Sequence, residues 1–223
     1  MNSPRKRTVV FISGGGSNMM ALVQAAKAED YPAEIVGVIS DKADAGGLAK
    51  AAAEGIPTFA FVRKDYVSKD AHEAAILAAL DELSPDIICL AGYMRLLSGA
   101  FIQRHEGRIL NIHPSLLPLF PGLHTHQRAI DAGMRIAGCT VHFVTEGMDE
   151  GPVIGQAAVP VLTDDTADTL ASRVLTIEHQ LYPQSLRLLA EGRVTMQGGK
   201  AVGIGATTTA TRAELISLIG DRA

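Results

Sequence analysis

Thr8-Val9-Val10-Phe11-Ile12-Ser13-Gly14-Gly15-Gly16-Ser17-Asn18 is the stretch on which the fold turns. A short β-branched and aromatic run ends abruptly in three glycines, and residues 18–28 continue in Met, Ala, Leu and Gln, which favour helix. Strand, glycine turn and helix in that order open an α/β unit. A strand with no polar face belongs in a sheet covered on both sides.

The same alternation repeats outward from this stretch. Residues 8–12, 34–40, 58–62, 86–91 and 108–112 read as strands, with helices at 18–28, 45–54 and 68–83 between them. Gly55 and Pro57 supply the stop signal for the second helix. The expected class is therefore α/β, a Rossmann-like, mostly parallel sheet with helices on both faces. After Pro114 the texture changes: residues 136–145 and 155–162 read as two further strands, followed by a helix over about 166–191. Asp165 and Thr166 are both suitable caps for it, and Pro183 is expected to kink it or split it in two. Residues 194–204 suit a hairpin around Gly198-Gly199, and residues 205–210 read as a flexible Gly/Thr linker. Thr211 with Glu214 matches a capping box for a last short helix over 212–219. Neither an internal repeat nor a second domain is read from the chain.

Bulk composition narrows the classes of function. The chain has 223 residues, 47% hydrophobic and 20% charged, enough for one buried α/β core. A net charge of −4 gives no electrostatic reason to expect nucleic acid or a membrane surface. No apolar run is long enough to span a bilayer, and the apolar run 8–12 is too short for a secretory leader, so a cytoplasmic location is expected. Cys89 and Cys139 lie far apart in apolar surroundings and read as buried free thiols.

The glycine loop, 13–18, sits where a strand hands over to a helix. The helix start presents unpaired N–H groups and the positive end of a dipole, and glycines let backbone approach an anion. A dinucleotide fingerprint fails because Met19 stands where its third glycine is needed, and a P-loop fails for want of a lysine. A generic phosphate cradle survives, beside the plainer reading of a tight turn with no ligand.

Asn111 and His113, two apart at the C-terminal end of a strand, leave it on the same face, where open α/β proteins bind ligands. Pro114 ends that strand and leaves His113 at the rim. An amide beside an imidazole suits an oxyanion and a proton, though such a pair also serves simply to satisfy a loop. Asp149, in the acidic, glycine-rich loop after strand 136–145, completes a set only if the fold carries it to His113. His124-Thr125-His126 lacks further ligands at metal spacing and reads as polar residues opening a helix, so no metal is expected.

These stretches together resemble the folate-dependent glycinamide ribonucleotide formyltransferases of purine synthesis, over residues 8–193. The markers run in order: Ile-Ser-Gly-Gly-Gly-Ser-Asn from 12, Ser-Asp-Lys-Ala-Asp-Ala from 40, Leu-Ala-Gly-Tyr-Met-Arg-Leu-Leu-Ser from 90, Asn-Ile-His-Pro-Ser-Leu-Leu-Pro from 111, Phe-Pro-Gly-Leu-His-Thr-His from 120, Val-His-Phe-Val-Thr from 141 and Asp-Glu-Gly-Pro-Val-Ile from 149. The resemblance implies the formyltransferase fold over residues 1–197, with 198–223 a tail rather than a separate domain. It implies Asn111, His113 and Asp149 as catalytic residues. Gly14, Gly15, Gly16, Ser17 and Asn18 would hold the substrate phosphate, with Glu178 at the ribose. Lys69, Met94, Arg95, Leu96, Leu97, His142, Val144, Thr145, Glu146 and Gly147 would line the folate site. Asp41, which follows a strand, is read as a turn residue without a functional role. The implied co-substrate is 10-formyltetrahydrofolate, with no metal. The implied partners are small molecules, with no nucleic acid and no membrane, in a monomer or homodimer. Two departures bear on ribonucleotide binding: Leu119 stands where many relatives have lysine, and Leu175 where the position is often polar.

The nearest rival is formyltetrahydrofolate deformylase, a hydrolase that shares Asn-Ile-His and the acidic loop. An N-terminal regulatory domain is usual there, whereas the first strand here begins at Thr8; Pro114 and Leu-His-Thr-His also favour the transferase. Methionyl-tRNA formyltransferase is disfavoured because no basic C-terminal domain is read. A catalytically silent nucleotide-binding module would leave the Asn–His–Asp set idle.

Overall fold

Val9, Val10, Phe11 and Ile12 are wholly buried, which is why β1 (Lys6–Ile12) carries no polar face after its first residues. The computed structural model describes residues 4–203, 207–210 and 215–218, the last two segments by their backbone alone. It comprises two compact units, Met1–Leu110 and Asn111–Ala223.

In the first unit β1 lies between β2 (Ala33–Ser40) and β4 (Ile87–Leu90), parallel to both, and β3 (Thr58–Ala60) runs parallel to β2. Helices α1 (Ser17–Ala26) and α2 (Gly46–Ala53) pack on these strands. Helix α3 (Lys69–Leu83) starts where Ser68 accepts the Ala71 N–H at 3.0 Å, the start expected from sequence. The strand expected over 58–62 closes early, because residues Arg63–Asp65 coil into a 3-10 turn. A short helix not expected from sequence, α4 (Gly99–Arg104), is capped by the Ser98 hydroxyl. It is too brief for helical periodicity to show. Phe11 lies edge-on to Tyr93, with ring centroids 5.2 Å apart, so the first strand is tied to the segment after β4 through the core.

The second unit centres on β6 (Ile136–Phe143) paired antiparallel with β7 (Val153–Pro160). Gly138 is required there, since a Cβ would lie 2.0 Å from the Ala157 carbonyl oxygen. Helix α6 (Ala167–Ala190) packs on both strands, and α5 (Thr125–Asp131) packs on α6. β5 (Ile109–His113) runs across the boundary of the two units. Thr166 is the N-cap of α6, in a reciprocal box with Thr169. Asp165 instead accepts the Leu162 N–H and holds Arg173 by two bonds of 2.6 and 2.7 Å. Pro183 does not split α6; Leu181, Tyr182, Ser185 and Leu186 are wholly buried on either side of it and hold one continuous helix.

The expected hairpin is present as β8 (Val194–Gln197) and β9 (Lys200–Gly203). Gly198 and Gly199 both take positive φ, 55° and 71°, as the tight hairpin turn demands. Two expectations beyond it are overturned. Where a flexible linker was expected, β10 (Thr207–Ala210) is a strand, and within the expected helix 212–219 lies β11 (Leu215–Leu218), paired with β7 and β10. The β7 edge offers unpaired backbone groups, which a short isolated helix cannot match in stabilisation. Thr211 and Glu214, the expected capping box, lie outside the described residues. The α/β class read from sequence is the one observed: β1 to β4 pair in parallel, and β6 with β7 and β7 with β11 pair antiparallel.

Candidate active site

His113 ends β5 and is only 6% exposed, so its ring nitrogens must find partners inside the protein. Nε2 faces the Phe120 carbonyl at 3.0 Å, and Nδ1 faces Asp149 Oδ2 at 3.4 Å. Asn111 lies one turn of the pleat earlier, and its Nδ2 meets His142 Nε2 at 3.2 Å. His142 is itself buried, and burial holds its pKa below the ordinary histidine value. Its Nδ1 donates to the Phe143 carbonyl at 2.8 Å, which leaves Nε2 as an acceptor and turns the Asn111 amide nitrogen toward it. His142, expected among the folate-lining residues, thus sits behind Asn111 and orients it.

Asp149 reaches His113 because its loop doubles back on β6. Gly151 permits the return: a Cβ there would lie 1.7 Å from the Phe143 carbonyl oxygen. Asp149 takes a left-handed φ of 58°, a conformation Asp tolerates better than most residues, and its Oδ2 also accepts the Gly122 N–H at 2.8 Å. Gly122 and Phe120 are partners that sequence reading missed; both act through backbone atoms, which no motif reports. The loop after Pro114 is pinned by Thr140, whose Oγ1 donates to the Ser115 carbonyl and accepts the Leu117 N–H. Val144, Thr145, Glu146 and Gly147 occupy the loop between β6 and Asp149. Glu178 is buried in α6, near enough to Cys139 to add to the rise that burial imposes on that thiol. His124 is the left-handed residue capping α5, and Thr125 opens the helix, as read from sequence. Among the described residues no cluster of His, Cys, Asp and Glu could hold a metal.

The remaining candidates lie in the first unit. Gly16 caps α1 with φ 69°, no side chain caps the helix, and no acid stands in its first turn. Its N–H groups are therefore not satisfied by a side-chain cap. Gly14 and Gly15 are exposed, and a Cβ on either would meet nothing within 4 Å. Gly16 differs: its Cβ would strike the Gly47 Cα at 2.9 Å. Lys50 and Gly47 brace the loop from behind, donating to the Gly15 and Gly14 carbonyls at 2.8 and 3.0 Å.

Met94, Arg95, Leu96 and Leu97 share one cleft of about 410 Å³ with Lys69, beside Arg63, His72, Glu73 and Tyr93. Lys69 stands 3.7 Å from Glu73. Asp41 is more than the turn residue expected from sequence. It is 2% exposed, accepts the Ser13 hydroxyl, and pairs with Arg95 Nε at 2.9 Å. Burial, with the Asp41 carboxylate nearby, pushes the Tyr93 hydroxyl up from its ordinary pKa.

A family profile described as formyl transferase matches residues 6–186. The phosphoribosylglycinamide formyltransferase of Escherichia coli is 45% identical over 193 residues, covering 86% of this chain and 91% of that protein. The trifunctional purine biosynthetic protein adenosine-3 of Bos taurus is 48% identical over 194 residues, but the match spans only 19% of its length. Among solved structures, the phosphoribosylglycinamide formyltransferase of Brucella melitensis is 73% identical, covering 83% of this chain and 96% of that one, with a TM-score of 0.81. A formyltetrahydrofolate deformylase from Pseudomonas putida has a comparable TM-score, 0.82, but only 26% identity, over 92% of this chain and 71% of that one. With the sheet, the glycine loop and the Asn–His–Asp geometry in place, the chain belongs to the formyl transferase family.

Proposed function

We propose that this chain transfers the formyl group of 10-formyltetrahydrofolate to the amine of glycinamide ribonucleotide, in purine biosynthesis. The observation that carries the reading is His113 held against Asp149 Oδ2, with the Asn111 amide fixed beside it by His142. That pairing, and similarity to proteins named for this reaction, support transfer over a silent binding module.

The amine nitrogen bonds the formyl carbon, the bond from that carbon to the folate nitrogen breaks, and the amine's proton passes to the departing nitrogen. Charge grows on the formyl oxygen on the way. Asn111 carries a second amide hydrogen besides the one aimed at His142, and this is the donor offered to that oxygen. The Nε2–H of His113 exchanges the Phe120 carbonyl for the same oxygen, while Asp149 accepts the hydrogen on Nδ1, so that the ring donates from both nitrogens. Removing one such donor typically costs about 10²–10³ in rate.

The residues of the first unit fit the two substrates. A helix start without a side-chain cap, fronted by the open faces of Gly14 and Gly15, suits a phosphate. The cleft of about 410 Å³ has the size of a small-molecule site, with apolar Met94 and Leu96 for a flat ring and Arg63 and Lys69 for an acidic tail. Glu178 serves the ribose hydroxyls. Val144, Thr145, Glu146 and Gly147 flank the folate, and residues 1–197 act as the formyltransferase domain. The reaction takes place in the cytoplasm; no described helix is long and apolar enough to cross a membrane.

The test uses purified protein and 10-formyltetrahydrofolate, with and without glycinamide ribonucleotide, following tetrahydrofolate release. Product is expected only with the ribonucleotide present. Rapid formate release without it would reassign the chain to the deformylases.

A further inference from the structure

Residues 93–97 form no helix or strand, yet they line the cleft and turn Met94 and Leu96 outward, 62% and 68% exposed. An irregular strap of this kind loses conformational freedom on meeting a ligand unless the protein has already fixed it. Two buried carboxylates fix it, one at each end. At the first end, the Ser13 hydroxyl accepts the Met94 N–H at 2.8 Å and itself donates to Asp41 Oδ1, while Asp41 Oδ2 takes Arg95 Nε at 2.9 Å. At the other, Glu73 Oε1 accepts the Ser98 N–H at 2.9 Å and Oε2 accepts the Ser98 hydroxyl. Asp41 and Glu73 are 2% and 6% exposed, and they come from separate places, the residue just after β2 and the first turns of α3. Each uses both of its oxygens on the strap or on the residue that holds it.

We infer that Asp41 and Glu73 are positioning residues that hold residues 93–98 as a preformed wall for the folate ring; this rests on the folate reading of the cleft. Neither is assigned a step in the chemistry. Their effect falls on folate affinity, whereas carboxylates needed only for folding would weaken both substrates alike or neither. Charge-assisted bonds to a buried carboxylate are strong, and losing one leaves its partners unsatisfied.

The experiment measures the affinity of a non-reactive folate analogue by calorimetry, with steady-state KM for the ribonucleotide and thermal unfolding alongside. The proteins are wild type, Asp41→Asn, Glu73→Gln, Ser13→Ala and the Asp41→Asn/Ser13→Ala double. Each single substitution is expected to weaken the analogue roughly tenfold or more, with the ribonucleotide KM little changed in Asp41→Asn and Glu73→Gln. The double should lose less than the product of its singles, because Ser13 and Asp41 act on Met94 through one chain of bonds. Ser13→Ala deletes a single hydroxyl and gives the same answer should Asp41→Asn fail to fold. Wild-type protein that does not bind the analogue would overturn the folate reading and this inference together. Wild-type binding with unchanged affinity in folded variants, or equal loss of both substrates, would overturn the inference alone.

Discussion

Asp149 uses one carboxylate oxygen for two partners, the Gly122 N–H at 2.8 Å and His113 Nδ1 at 3.4 Å. Asp149→Asn keeps the shape of the side chain and removes the charge that faces the ring. The variant is expected to lose roughly 10²-fold or more in kcat, the range for lost acid–base or oxyanion groups, while both KM values hold. With His113→Ala added, the combined loss should fall far short of the product of the single losses, because the two side chains act as one unit. Steady-state kinetics on both singles and the double, with folding checked by circular dichroism, decides it. Near-normal kcat in Asp149→Asn would remove Asp149 from the mechanism. Asn111 and His113 were legible as a pair from their spacing on a strand. The link to Asp149 came only through the family resemblance and not from spacing, because it depends on the backbone return that Gly151 allows.

The glycine loop separates two roles that its letters merge. Gly14 and Gly15 face open space, so a methyl group there meets nothing in the protein and would disturb only the phosphate proposed to bind there. Gly16 sits at a left-handed φ against the Gly47 backbone, so a side chain there strains the fold itself. Gly14→Ala and Gly15→Ala are expected to raise the ribonucleotide KM roughly tenfold or more at unchanged Tm. Gly16→Ala should instead cost about 1–2 kcal/mol of stability or more, seen in denaturant unfolding. A folded Gly14→Ala variant with normal ribonucleotide KM would argue against the phosphate cradle. Element identity in this region was readable because strand, turn and helix each carry local signals. The two final strands were misread because the edge that decides them, β7, lies more than fifty residues before β11, which pairs on it and in turn pairs with β10.

Acid sensitivity belongs to the molecule as a whole. Burial lowers the pKa of His105, to about 4, and also lowers those of His126, His142 and His179. In the unfolded chain these groups titrate near ~6.5, so between about 4 and ~6.5 the unfolded state binds more protons than the folded one. Stability is then fully present above ~6.5 and lost as pH falls through that window. Tm is expected to drop steadily from neutral pH toward pH 5, and His105→Gln should flatten the drop. A Tm independent of pH across the window would contradict the burial of these rings.

The sequence by itself determined the α/β class, the glycine loop at the first strand–helix junction and the pairing of Asn111 with His113. Each of these follows from local periodicity and turn chemistry, which act over a few residues. Tertiary structure alone decided that Asp149 returns to His113, that His142 stands behind Asn111, and that Asp41 is a buried anchor for Ser13 and Arg95 instead of a turn residue. A carboxylate after a strand reads the same in sequence whether it meets water or a guanidinium. Only the packing of segments that are distant in the chain decides which of the two it meets.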